Sequence, residues 1–163
     1  MQHEAPPPSY EYAPSRRDLS LRLNPVPLVE ARLSADVELL VASHHALVLS
    51  PNVTFAAHRG ELIAYGFGFT ADRSTGFGGE AGYHYWVRRD LEGIFLGPSL
   101  VFGSTSTPNL PSHGYFGVAL DVGYQAVIAN GFTVAVGGGV LVITGNSLTK
   151  VTPRGLLGIG WTF

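Results

Sequence analysis

The last thirteen residues of the chain, "VTPRGLLGIGWTF" (151–163), alternate between two kinds of side chain. The odd positions carry apolar residues: Val151, Pro153, Leu157, Ile159, Trp161 and Phe163. The even positions carry small or polar residues: Thr152, Arg154, Gly158, Gly160 and Thr162. Successive side chains of a β-strand leave opposite faces, so a period of two predicts a strand. This strand runs to the last residue, and its apolar face needs an apolar environment.

The same alternation recurs along the chain from Asp18 onward. Seven earlier segments repeat it, around residues 19–23, 33–41, 47–55, 77–85, 94–102, 116–124 and 132–140. Short connections such as "ASHH", "RRDLEG" and "IANG" alternate with longer ones, which indicates an up-and-down meander with tight turns at one end. We therefore predict an all-β, up-and-down antiparallel barrel of about eight strands over residues 18–163. Its outer loops are expected around residues 58–74, 104–113 and 144–150.

The composition is unusual for a protein that faces water on all sides. Charged residues make up 13% of the chain, against roughly 25% in an ordinary soluble domain. The formal net charge of −2 gives no basic surface for nucleic acid, so we predict no nucleic-acid partner. The chain has no cysteine, which excludes disulfides and thiol chemistry, and no motif in it calls for a cofactor.

The two faces of the predicted strands differ in bulk, and this difference decides which face points outward. Eight faces of Leu, Val, Phe and Tyr do not fit inside an eight-stranded barrel, whereas the glycines and alanines of the other face do. The bulky face therefore points outward, toward lipid, and we predict a transmembrane barrel, which pairs every backbone group within the bilayer. A spanning helix over the uncharged residues 122–149 is the alternative. The hairpin signal Asn130-Gly131 disfavours it.

The first residues form a separate segment. Residues 1–17 include "APPPSYEYAPS", which is rich in proline and predicts an extended, flexible tail. An even number of strands places both termini on the side of the tight turns. In a transmembrane barrel this is the periplasmic side.

The terminal aromatic strand, the aromatic residues near strand ends and the meander together resemble the small outer-membrane barrels of Gram-negative bacteria. The stretch "LRLNPVPLVEARLSADVELLVASHHALVLSPNV" is similar to a group of uncharacterised bacterial outer-membrane proteins. The resemblance implies a place in the bacterial outer membrane, with membrane lipids around the barrel. It also implies that the outer-membrane assembly machinery recognises the final strand, with Trp161 and Phe163 as the assembly signal. It brings no catalytic motif.

The inward face gathers ionisable side chains. Those expected to form a polar network in the lumen are Arg22, Arg32, Asp36, Glu38, Glu80, His84, Asp121 and Arg154, with Asp18 and Glu30 on the same face. Isolated charges in a narrow lumen are costly, so these groups should pair. We predict a monomer whose lumen is plugged and not an open pore, with a structural role or a surface role through its outer loops. A narrow ion path remains an alternative.

Two further alternatives place a different chemistry on the same chain. Some small outer-membrane barrels modify the acyl chains of lipid A with a serine, a histidine and a carboxylate, and Ser112 and His113 with Asp72 or Glu61 are the pieces available here. A soluble ligand binder of lipocalin type is the other. We expect no enzyme and no catalytic residue. We also expect no metal site, since adjacent residues such as His44 and His45 point to opposite sides of a strand.

Overall fold

The chain forms a closed barrel of eight antiparallel strands. A computed structural model describes residues 17–25, 32–55, 75–106, 111–145 and 148–163. The strands are β1 (Leu19–Asn24), β2 (Arg32–Ala42), β3 (His45–Thr54), β4 (Thr75–Trp86), β5 (Gly93–Ser106), β6 (His113–Val127), β7 (Phe132–Gly145) and β8 (Leu148–Thr162). Each strand pairs with the next, and β8 pairs with β1. The predicted all-β, eight-stranded antiparallel barrel is confirmed.

The segment for which a helix was the alternative, residues 122–149, is made of strands. It contains the end of β6, all of β7 and the start of β8, with a short 3-10 turn at Ala129–Gly131 between β6 and β7. Asn130 and Gly131 both have positive φ in this turn, as the hairpin signal indicated. No helix in the described part of the chain is long and apolar enough to cross a bilayer.

Two of the predicted outer loops are shorter than the sequence indicated. β7 continues to Gly145 and β8 begins at Leu148, so only residues 146–147 connect them and the predicted loop over 144–150 is wrong. Thr144 and Thr149 pair across the two strands, with their hydroxyl oxygens 3.1 Å apart. The predicted loop over 104–113 is too long for the same reason: β5 continues to Ser106 and β6 begins at His113, so polar residues continue the ladder past the apolar region.

Other predictions lie outside the described residues. The loop at 58–74 is one, and the tail over residues 1–17 is another except for Arg17. Both stay predictions.

The strands are staggered around the barrel. If one starts at Leu21 in β1 and moves from each residue to its register partner on the next strand, one arrives at Val151 in β8. The direct partner of Leu21 in β8 is instead Trp161, ten positions further along. A closed barrel with such a stagger has strands tilted by roughly 35–45° to its axis, and eight strands leave an interior just wide enough for side chains.

The outer face of the barrel is apolar on every strand. On β5, for example, the outward residues are Ile94, Leu96, Pro98, Leu100 and Phe102, and all are exposed. The ionisable residues Arg22, Glu38, His84 and Asp121 are buried on the other face. This is the orientation that the alternation predicted. A stretch from Ile94 to Phe102, at about 3.3 Å per residue and with the tilt above, covers roughly 23 Å of the barrel axis.

Aromatic side chains mark both ends of this apolar band. At the end with the longer connections lie Phe55, Phe77, Phe102 and Phe116, and Phe102 pairs directly with Phe116. At the end with the short turns lie Tyr83, Tyr85, Tyr124, Phe132, Trp161 and Phe163. The rings of Phe132 and Trp161 meet edge to face with centroids 5.4 Å apart. The band is therefore bounded by two aromatic levels.

Inward glycines make room for the large side chains of the lumen. A Cβ atom on Gly139 would overlap with the carbonyl oxygen of Leu120 and with the carboxylate of Asp121. By contrast, a Cβ atom on Gly155, on the neighbouring strand and the outer face, would meet nothing within 4 Å.

This contrast gives a matched pair of variants. Gly139→Val should destabilise the barrel by about 1–3 kcal/mol, because an overpacked site forces its neighbours to move. Gly155→Val should leave stability unchanged or raise it slightly, since valine favours strands. The measurement is the free energy of unfolding in detergent micelles with urea. Equal stability of the two variants would contradict the packing described here.

Candidate functional site

The lumen is closed by an apolar cluster at the end with the short turns. The cluster contains the buried side chains of Leu40, Ala46, Trp86, Leu91 and Phe95, with Leu156 packed against it. Leu91 belongs to the turn between β4 and β5 and has a positive φ of 32°. Its side chain is fully buried, and its carbonyl oxygen accepts a hydrogen bond from the side chain of Gln125. The turn is thereby held in the mouth of the barrel.

Glu38 is the centre of the polar network above this cluster. It is 0% exposed and accepts hydrogen bonds from Arg22 Nη2 at 2.8 Å, from His84 Nδ1 at 2.9 Å and from Trp86 Nε1 at 2.9 Å. A carboxylate only accepts, so the His84 tautomer with hydrogen on Nδ1 fits this contact. A second nitrogen of Arg22, Nη1, donates to Gln125. The network therefore joins the strands to the turn that closes the barrel.

A second ionic group lies further along the lumen. Arg154 Nη2 is 2.9 Å from Glu80 Oε2, and Arg154 Nε is 3.3 Å from Asp121 Oδ1. Asp36 belongs to the first group, with its Oδ2 4.0 Å from Arg22 Nε, and lines the same cavity as the second group. Each arginine thus faces two carboxylates, and together the pairs tie β1, β2, β4, β6 and β8 across the lumen.

A small cavity lies among these side chains. Its volume is about 60 Å³, and the ionisable residues that line it are Arg22, Asp36, Glu80, His84, Asp121 and Arg154. A polar cavity of this size has room for ordered water. Four carboxylates face two guanidinium groups here, so His84 is the remaining basic group of the network. The cavity has room for water but is too small for a metabolite.

A second apolar cluster lies in the lumen near the longer connections, on one wall of the barrel. Val101, Ala119, Leu141 and Ile143 form a second buried cluster with Tyr115 against it. The opposite wall carries the buried polar residues Ser50, Asn52 and Thr54. Side chains therefore fill the barrel above and below the ionic groups.

The structure brings seven of the eight residues of the predicted network into the lumen, in the two groups described above. Arg32 is the first residue of β2 and pairs with Thr54, and its side chain is outside the described part of the structure. Sequence reasoning missed four contributors: Trp86, Leu91, Phe95 and Gln125. Trp86 carried a signal, because it is a large aromatic residue on the otherwise small or polar face. Leu91 carried no such signal, since no sequence pattern indicates that the side chain of a turn residue points into the lumen.

The predicted assembly signal lies on the outer surface at the end of β8. Trp161 and Phe163 are both exposed. Phe163 exchanges backbone hydrogen bonds with Leu19, with N–O distances of 2.8 and 3.2 Å, so the last residue contributes to barrel closure. Recognition by an assembly machinery stays a prediction.

The pieces of the enzymatic alternative are only partly described. Ser112 is exposed, and His113 is half-buried at the start of β6, opposite Thr105. Asp72 and Glu61 lie outside the described residues. Because both carboxylates lie outside the described part of the structure, the enzymatic alternative stays a prediction.

The two adjacent histidines have different partners. His44 Nδ1 is 2.8 Å from the carbonyl oxygen of Trp86, and His45 Nδ1 is 2.5 Å from the Tyr83 hydroxyl. Among the residues that the structure covers, no three His, Cys, Asp or Glu side chains are arranged to hold a metal ion.

These features define a class: a closed eight-stranded antiparallel barrel with a filled, ionised interior and an apolar exterior. No protein-family model matches this chain, and neither a curated protein nor a solved structure matches it. The resemblance to Gram-negative outer-membrane barrels therefore stays a prediction.

Proposed function

We propose that this protein is an integral barrel of the bacterial outer membrane, with a structural or surface-interaction role and a lumen that is filled and not an open pore. One observation carries the proposal. On the described strands, the outward positions between the two aromatic levels hold no charged residue. The charges are instead on the inner face.

The free-energy cost of exposing this apolar surface to water supports a lipid environment for it. Each Å² of apolar surface kept in water costs about 25 cal/mol, and a soluble monomer rarely exposes a continuous apolar patch of more than a few hundred Å². Here the apolar surface encircles the barrel. Its height of roughly 23 Å compares with about 25 Å for the apolar band of outer-membrane barrels, which aromatic girdles also flank. A soluble barrel of lipocalin type needs the opposite orientation.

The filled lumen supports a role at the membrane surface over one in transport. The apolar cluster around Trp86 closes the end with the short turns, and the cavity beyond it has room only for small molecules such as water. We expect no enzymatic activity and a monomeric state. A partner would be met by the connections at the opposite end.

The two tryptophans provide the test. Trp86 is 0% exposed and lies in the lumen, whereas Trp161 is 50% exposed on the outer surface. In vesicles of brominated phosphatidylcholine, bromine in the bilayer should quench Trp161 strongly in the Trp86→Phe variant. It should quench Trp86 weakly in the Trp161→Phe variant. A protein that stays out of the vesicles, or equal quenching of the two tryptophans, would refute the proposal.

A further inference from the structure

The outer face of the barrel has a depression between β2 and β6. Its volume is about 640 Å³, within the range of roughly 300–1,000 Å³ that small-molecule sites occupy. Ala81 and Pro98 form its base because they are small outward residues. The sides are apolar: Val37, Leu39, Leu47, Leu49, Leu100 and Val118. The depression therefore lies within the apolar band and is lined by hydrocarbon.

One end of this depression reaches polar side chains. Tyr83 lines it, and the Tyr83 hydroxyl is 2.5 Å from Nδ1 of the exposed His45. The ring of His45 also meets the ring of Tyr85 edge-on, with centroids 5.7 Å apart. These side chains lie at the aromatic level of the short turns, where a bilayer changes from hydrocarbon to headgroups.

The turn next to this polar end carries cationic side chains. The backbone N–H of Trp86 donates to the carbonyl oxygen of His44 at 2.8 Å, which places the β2–β3 turn beside the β4–β5 turn. The β4–β5 turn carries the exposed Arg88 and Arg89. It also carries two acids: Glu92 lies 3.9 Å from Arg88, and Asp90 is exposed. His45 lies at the polar end itself and Arg89 is an exposed arginine of the neighbouring turn, so these two side chains are the candidate donors to an anionic group.

We propose that this depression binds one acyl chain of a diacyl glycerophospholipid, with the lipid phosphate at His45 and Arg89. The inference rests on the proposed membrane insertion. An acyl chain matches the lining, because it is apolar and flexible and fills an irregular surface. The phosphate matches the polar end, since arginine and histidine donate to phosphate oxygens.

A second copy of the chain fits this place less well. A symmetric dimer uses the same patch on both subunits. Two depressions facing each other would enclose a void, and a void forfeits the dispersion contacts that stabilise an interface. A lipid chain avoids this loss.

The test measures retained lipid by native mass spectrometry. Wild-type protein is delipidated in detergent, mixed with dioleoylphosphatidylethanolamine and released into the gas phase. We expect one retained phospholipid per barrel. In the Ala81→Trp variant, which fills the depression, occupancy should fall about tenfold. Val136→Trp is the matched control, because Val136 is an exposed outward residue of β7 outside the depression. It should retain lipid like the wild type.

Further variants keep the proposal open to refutation. Pro98→Leu fills the same depression, so it replaces Ala81→Trp in the test if that variant does not fold. Dioleoylglycerol, which lacks the phosphate, should be retained less than the phospholipid, and Arg89→Ala should reduce the difference. Equal retention by wild type and filled variants would overturn the acyl-chain site, and equal retention of the two lipids would overturn the phosphate contact. A wild-type barrel that inserts into brominated vesicles but retains no lipid refutes this inference alone.

Discussion

Replacement of Glu38 by alanine is expected to destabilise the barrel by about 3–5 kcal/mol, because removing one partner of a buried ion pair leaves the other charge uncompensated. Arg22 is 5% exposed and would lose its closest carboxylate. The indole N–H of Trp86 and the Nδ1 of His84 would lose their acceptor as well. Since the lumen is narrow, no bulk water replaces these contacts.

The measurement is urea unfolding of the refolded barrel in detergent micelles. Glu92→Ala provides the matched control, because it removes the same side chain at a partly exposed position with one partner at 3.9 Å. Its cost should be between 0 and about 1 kcal/mol. If Glu38→Ala is no less stable than Glu92→Ala, the network does not brace the barrel as described.

Replacement of Leu120 by arginine is expected to cost about 2–4 kcal/mol in a bilayer, which is the cost of an arginine on the lipid face at the midplane of a transmembrane barrel. Leu120 is 60% exposed and lies near the middle of the apolar band on β6. In water the same change would place a charge on an exposed surface and cost little. The prediction therefore separates a membrane barrel from a soluble one.

Val151→Arg is the control for depth. Val151 is 64% exposed at the edge of the band near the start of β8, where an arginine should cost about 0–1 kcal/mol because it reaches the interface. Unfolding in lipid vesicles measures both. A cost that is the same at both positions would argue against a hydrocarbon environment around the barrel.

The strands and their faces followed from the sequence because both depend on local rules. A period of two identifies a strand, and the difference in bulk between the faces decides which one fits inside a narrow barrel. The ends of β7 and β8 did not follow. Thr144 and Thr149 look like loop residues, yet they continue the ladder because strand pairing depends on the partner and not on hydrophobicity.

The composition of the lumen was only half predictable. Arg22, Glu38, His84 and Arg154 were recognisable as inward charges, but their pairing depends on residues far apart in the chain: Arg22 and Gln125 differ by 103 positions. The burial of Leu91 depends on a turn that folds back into the barrel, and the sequence pattern does not predict this fold-back.

The amino-acid sequence by itself determined the number of strands, their antiparallel order and the side of each strand that is apolar, because alternation and turn residues act over a few neighbouring positions. Only the tertiary structure decided the ten-residue stagger between β1 and β8, the partners of Glu38 and the depression over Ala81 and Pro98. Closure of the barrel sets all three, since it fixes which distant side chains share a level and which outward faces lie side by side.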